Sequence, residues 1–191
     1  MGEDRLDEGS VQVTEAVSAD ARLIQNLMQL YTHDFSEFWA GTSQGDLDSE
    51  GRFPAYPLEG YWSRANFSAV LIWCQHKLAG FALINDETHS GLPADRNMGE
   101  FFIVRKYRGG GVAQAAAEIL FSRHAGVWEV AVARKNTRAL QFWRKIIRSS
   151  PKASAIEEMD VQNAHWTGPI LRFDWNKLDS ATGPHCGPSN R

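Results

Sequence analysis

The sequence predicts an α/β domain of the α+β kind, with helices flanking a central mixed sheet. The element order reads strand, helix, strands, then strand, helix, strand, helix, strands, which is the pattern of a mixed sheet rather than a regular βαβ repeat. Two apolar runs, "AVLIWC" and "LAGFALIND", are joined by "QHK" and read as an antiparallel hairpin. At 191 residues and 43% hydrophobic, the chain suits one domain with a sizeable core.

Each element has its own signal. "VQVTEAV" from Val11 to Val17 alternates apolar and polar residues, as a half-buried strand does. Ser18 can cap the next segment, where Leu23, Leu27, Leu30 and Tyr31 recur at helical spacing; Ala19 to about Phe38 reads as an amphipathic helix. Ala40 to Gly60 is rich in Gly, Pro, Ser and acidic residues and reads as a long loop. The hairpin follows, then a second loop, "THSGLPADRN". "GEFFIV" reads as a strand and Val112 to His124 as a helix. "VWEVAVA" reads as a strand and "NTRALQFWRKII" as a helix carrying Ala139, Phe142 and Ile146 on one face. "SAIEEMDV" and "GPILRFDW" read as closing strands. The expected organisation is a flexible start over 1–10, one domain over 11–178 and a disordered tail over 179–191, where no apolar pattern exists.

Composition narrows the function. The formal net charge is −3 and the pI near 6.1, which argues against nucleic acid or an anionic membrane as a partner held by bulk charge. No apolar run approaches the length of a membrane span. "MGEDRLDEGS" is acidic and polar and lacks the pattern of a secretory signal; Met1-Gly2 reads as an ordinary start rather than a myristoylation site. Cys74 reads as a core strand residue and Cys186 as a tail residue, so a reducing cytoplasm is expected. The histidines have no metal-ligand spacing. "DLDSEG" resembles the start of a calcium loop, but Pro57 stands where its last glutamate belongs, and no metal is expected.

The stretch "RKYRGGGVAQAAAE" carries the most chemistry. Gly109, Gly110 and Gly111 follow a strand and lead into a helix. Glycine lets backbone approach a ligand closely, and the first amides of a helix lack intrahelical acceptors. Such amides, with the positive end of the helix dipole, suit a phosphate. The same residues also suit a plain strand-to-helix turn, and the glycines by themselves leave both readings open. A Walker loop is excluded because no Gly-Lys-Ser/Thr follows, and Gln114 replaces the last glycine of a dinucleotide fingerprint.

"RGGGVA", from Arg108 to Ala113, resembles the pyrophosphate loop Arg/Gln-x-x-Gly-x-Gly/Ala of the Gcn5-related N-acetyltransferases. "NTRALQFW", from Asn136, resembles that family's Asn-x-x-Ala-x-x-Phe-Tyr helix. The resemblance is specific over roughly Gly99 to Lys145 and rests on element order over Val11 to Asp86. It implies a mostly antiparallel sheet splayed between its fourth and fifth strands, with acetyl-CoA in the opening. Arg108, Gly109, Gly110, Gly111, Val112, Ala113 and Gln114 would hold the pyrophosphate. The backbone of Phe101, Phe102 and Ile103 would hold the pantetheine arm, with a nearby N–H for the oxyanion. Asn136 would contact the arm or the far end of the cofactor.

The implied activity is acetyl transfer from acetyl-CoA to a primary amine of a small molecule or peptide, by direct attack in a ternary complex. A carrier-protein pantetheine donor and a non-catalytic CoA-binding module are the alternatives. Glu100 stands where the family often carries a catalytic carboxylate, and is either the base or a surface strand residue. Trp143 stands in place of the usual proton-donating tyrosine; indole N–H is a donor but no practical acid. Tyr31, Tyr61, Tyr107 and His165 are the other candidate acids. The usual Gly-Phe after the helix is also missing. Acceptor pockets in the family lie by the first helices and the last strands, which places Tyr31, Asp34, Tyr61 and His165 as candidates. The chain is expected to be a monomer or homodimer.

Overall fold

The computed structural model describes residues 11–42 and 44–177. The expectations for 1–10 and 179–191, including Cys186, lie outside the described residues. The elements are β1 (Val11–Glu15), α1 (Ala21–Ser36), α2 (Glu59–Ser63), β2 (Ser68–Cys74), β3 (Lys77–Asn85), β4 (Arg96–Ile103), α3 (Val112–Arg123), β5 (Gly126–Ala131), α4 (Thr137–Ser149), β6 (Ala153–Gln162) and β7 (Thr167–Trp175). They build a seven-stranded sheet in the order β1-β2-β3-β4-β5-β7-β6. Every neighbouring pair is antiparallel except β4 and β5, which run parallel.

Helices cover both faces, giving two cores. One face buries Ala116, Leu120, Phe121, Trp143 and Ile147 of α3 and α4 against Trp128, Phe173 and Trp175. The other buries Ile24, Leu27 and Met28 of α1 against Phe81, Leu83 and Phe102. Strands buried on both sides lose the apolar–polar alternation of a half-exposed sheet, which is why β2 and β3 read as near-continuous apolar runs. Gln75 and His76, with φ of 49° and 61°, make the tight turn between them.

Three local expectations are corrected. Ser18 does not cap α1: it lies in a 3-10 turn, where the Asp20 carboxylate accepts from the Val17 N–H at 3.0 Å. The buried stripe of α1 is Ile24, Leu27 and Met28, and Leu30 is 51% exposed. β4 starts at Arg96 rather than Gly99, because its first turn into the sheet is made by a buried polar residue. Asn97 is 1% exposed and donates to Asn85 Oδ1 at 3.0 Å.

The loop before α2 is anchored, not free. Gln29 forms a two-way pair with the Phe53 backbone, donating to its carbonyl at 3.0 Å and accepting from its N–H at 2.8 Å. Gln25 does the same with Tyr56, at 2.6 and 3.3 Å. Two helix amides thus replace the partner strand this extended segment lacks. Asp48 accepts from the amides of Glu50 and Arg52 at 2.8 and 2.9 Å, closing the turn that resembled a calcium loop.

Candidate active site

A bulge and a splay open the sheet at its centre. Leu83 pairs with Glu100 and Ile84 with Met98, so Gly99 is the extra residue. A Cβ there would lie 2.9 Å from Asn85 Nδ2 and 3.2 Å from Leu83 O, which only glycine avoids. The bulge reverses the side-chain alternation. Met98 faces the α3–α4 core, whereas Glu100 and Phe102 face α1. β5 pairs with β4 only at Arg96–Trp128 and Asn97–Glu129, and beyond these the strands part. The gap holds a cavity of about 210 Å³, lined from β4 by Gly99, Glu100 and Phe101, from β5 by Val130 and Ala131, and from α4 by Ala139 and Trp143.

The edge of β4 along this gap offers unpaired backbone. The Val104 N–H bonds Ala79 O at 2.8 Å. Bonding alternates along an antiparallel strand, so Phe102 and Glu100 also bond toward β3. Phe101 and Ile103 turn their backbone groups to the gap. The expectation for Phe102 is corrected accordingly: its backbone belongs to β3 and its ring to the α1 core.

The glycine stretch forms an open cradle at the start of α3. Gly109 and Gly111 both have φ of +84°, a left-handed conformation that L side chains rarely adopt. A Cβ at either would meet nothing within 4 Å. The amides of Gly109 to Gln114 bond no acceptor among the described residues; the first helical bond runs from Ala115 N to Gly111 O. The Val112 side chain is buried in the core, so only its amide is available to a ligand. Gln114 Nε2 donates to Glu118 at 2.9 Å. Arg108 folds back, donating to Ile103 O at 2.7 Å and to Asp34 at 2.5 Å.

Across the gap, Glu100 is held in a tyrosine cluster. Tyr31 donates its hydroxyl hydrogen to Glu100, and the Tyr56 hydroxyl also bears on the carboxylate. Burial pushes Glu100 up from 4.5 to about 7, while the hydrogen bonds from the two tyrosines pull the other way. Burial and the neighbouring carboxylate hold Tyr31 well above its ordinary range, so the shared proton stays on the phenol.

Structural comparison places this arrangement. An acetyltransferase from Thermus thermophilus superposes with a TM-score of 0.58 at 12% identity, covering 86% of this chain and 95% of the other. The PaiA N-acetyltransferase from Thermoplasma acidophilum, in complex with coenzyme A, gives 0.55 at 12%, covering 87% and 99%. An acetyltransferase of the GNAT family from Staphylococcus aureus gives 0.55 at 10%, covering 86% and 98%. The chain has the fold of the Gcn5-related N-acetyltransferases. No family model and no curated protein matches its sequence.

Within this acetyltransferase fold the sequence-derived residues fall into three groups. Glu100, Phe101, Tyr31, Asn136 and Trp143 line the cavity together. Asn136 also caps α4, its Oδ1 accepting from Ala139 N at 3.1 Å. Trp143 is 5% exposed and packs edge-on to Phe101 at 5.1 Å, so it serves the core and the cavity wall at once. A second group forms the cradle: Arg108, Gly109, Gly110, Gly111, Val112, Ala113 and Gln114.

Three acceptor-side expectations are displaced. Tyr61 is buried outside the cavity and accepts from Asn85 Nδ2 at 3.1 Å. Asp34 binds Arg105 and Arg108 at 2.6 and 2.5 Å. Partial burial raises its carboxyl, but the bonds from those arginines outweigh this and hold it below the usual range. His165 is exposed in the β6–β7 turn, and its neighbour Trp166 lines the cavity instead. The sequence reading missed Trp166, Phe35 and His89. Phe35 lies one turn beyond Tyr31 and was within reach of helical spacing. The other two sit on loops, where no periodicity marks them.

Proposed function

We propose that the chain is an acetyl-CoA-dependent N-acetyltransferase acting on a primary amine of a small molecule or peptide. The observation that carries this is Glu100, a half-buried carboxylate that lines the cavity where β4 and β5 part and accepts from the Tyr31 hydroxyl, with its pKa pushed up to about 7. A base of that strength is matched to neutral pH. Solved structures of the fold include a spermidine N-acetyltransferase and an aminoglycoside acetyltransferase, which supports an amine acceptor.

The residues present fit acetyl-CoA. The open cradle with unbonded amides from Gly109 to Gln114 suits a pyrophosphate. The Phe101 backbone and the Ile103 N–H suit an extended amide-bearing arm, received as an added strand; the Ile103 carbonyl already accepts from Arg108. The donor supplies an activated acetyl thioester.

Glu100 takes the proton of the incoming amine. A lysine-like ammonium titrates near about 10.4 and is a nucleophile only once deprotonated. The N–H of Phe101 or Ile103 stabilises negative charge developing on the carbonyl oxygen. As the C–N bond forms and the C–S bond breaks, Trp143 would offer the departing thiolate a hydrogen bond but no proton, so the two protons that an ammonium loses on becoming an amide would go to Glu100 and to solvent. Direct transfer is favoured because, among the described residues, no Ser, Thr, Cys or Lys lines the cavity to carry the acetyl group, and Cys74 is buried in β2.

The test is a screen of primary amines with acetyl-CoA, reading thiol release and the mass of the product. Saturable transfer of 42 mass units, about one acetyl group, supports the reading; thiol release that no amine accelerates contradicts it.

A further inference from the structure

The cavity passes through the gap in the sheet, and its two ends differ in chemistry. On the α4 side the wall is Asn136, Ala139 and Trp143. On the α1 side it is made of rings: Tyr31 and Phe35 from α1, His89 from the β3–β4 loop and Trp166 from the β6–β7 turn. Glu100 faces this ring-lined end, because it bonds Tyr31. The attacking amine must therefore come from here, while the cradle lies at the start of α3 on the opposite face.

The two loop-borne rings are held by built contacts. The His89 and Trp166 rings pack at a tilt of 52°, with centroids 4.7 Å apart. Asn163 ties both loops, donating to His89 O at 3.0 Å and accepting from Trp166 N at 2.7 Å. Beneath them Glu129, fully buried, accepts from His89 N at 2.5 Å and from the Ser90 hydroxyl. Arg172 pairs with Glu129 at 3.1 Å and donates to Pro93 O at 2.7 Å. A buried ion pair is a poor source of stability, but here it fixes the loop that presents His89.

Charge at this end is sparse. Glu100 is the only carboxylate lining the cavity among the described residues. Asp34, further along α1, is already taken by Arg105 and Arg108. A second ammonium on the acceptor would meet rings and no carboxylate, whereas an apolar body would bury against them.

Resting on the acetyltransferase reading above, we infer that Tyr31, Phe35, His89 and Trp166 form the acceptor subsite. It selects a primary amine on a single apolar or aromatic body, with no second positive charge.

Calorimetric titration of the CoA-saturated protein with 2-phenylethylamine and with spermidine tests this. Phenylethylamine is expected to bind at least tenfold more tightly, about 1.4 kcal/mol in binding free energy. Trp166→Ala is expected to weaken it at least tenfold, and Trp166→Phe, which keeps a ring, to restore most of the affinity. Equal or tighter spermidine binding, or no phenylethylamine binding, overturns the inference, as does Trp166→Ala with unchanged affinity. If CoA itself fails to bind, the acetyltransferase reading has failed. The same amine titrations on the free protein then decide the subsite separately, with the same expected preference.

Discussion

Tyr31 on α1 donates its hydroxyl hydrogen to Glu100 on β4, across 69 positions of sequence. This bond joins the two halves of the chain at the cavity. It also opposes burial, which alone would keep Glu100 protonated at neutral pH. The tyrosine holds the carboxylate in reach of neutral pH without itself giving up a proton.

Glu100→Gln should remove the proposed base and leave the cradle intact. Turnover of the wild type is expected to rise with pH, with a midpoint near 7 set by Glu100. In the variant it should fall by a factor of about 10²–10⁴ and lose that rise. Acetyl-CoA affinity should not change. A pH–rate profile of both proteins, with a binding titration, checks this.

Tyr31→Phe removes a hydrogen bond that favours the ionised carboxylate. The midpoint of the pH–rate profile should move upward, so that turnover drops several-fold at pH near 7 and approaches wild type in alkaline buffer. A downward move, or a uniform loss at every pH, would contradict the assigned role.

The same carboxylate makes stability depend on pH. Glu100 holds its proton to about 7 when folded, against an ordinary value of 4.5. Its contribution is present below the ordinary value and is lost as pH rises through the folded one. At pH 8, Glu100→Gln should therefore be more stable than the wild type by up to about 3 kcal/mol. Near pH 4 the difference should vanish. Urea unfolding at the two pH values reads it.

Arg172→Met should be among the more damaging single changes. It strands the fully buried Glu129 without its counter-charge and frees the Pro93 carbonyl. Breaking a buried pair in this way costs about 3–5 kcal/mol. Restoring neutrality with Glu129→Gln in the same chain should recover part of that, as measured by denaturant midpoint.

The sequence made one half of the site legible and hid the other. Strand, glycine turn and helix around Gly109–Gly111 are local features, and so is the Asn136 cap; both are written in contiguous residues. The bulge at Gly99 is carried by one glycine in a strand pattern, which has no periodic signature. The early start of β4 was masked by Asn97, a polar residue that its partner Asn85 makes affordable inside the sheet. The ring-lined end is assembled from α1 and two separate loops, so only tertiary structure brings Tyr31, His89 and Trp166 together. His165 was one residue from the side chain that reaches the cavity.

The Gly109–Gln114 cradle is proposed to receive the pyrophosphate of acetyl-CoA. Calorimetric titration of acetyl-CoA into wild type and Gly111→Glu tests it most directly. Gly111 has φ of +84°, and its Cβ position is open to the cradle. A glutamate there adds strain, bulk and a negative charge where the phosphates would lie. Saturable binding to the wild type is expected, with loss of binding in a variant that still unfolds cooperatively. Equal acetyl-CoA affinity in the two proteins would contradict it.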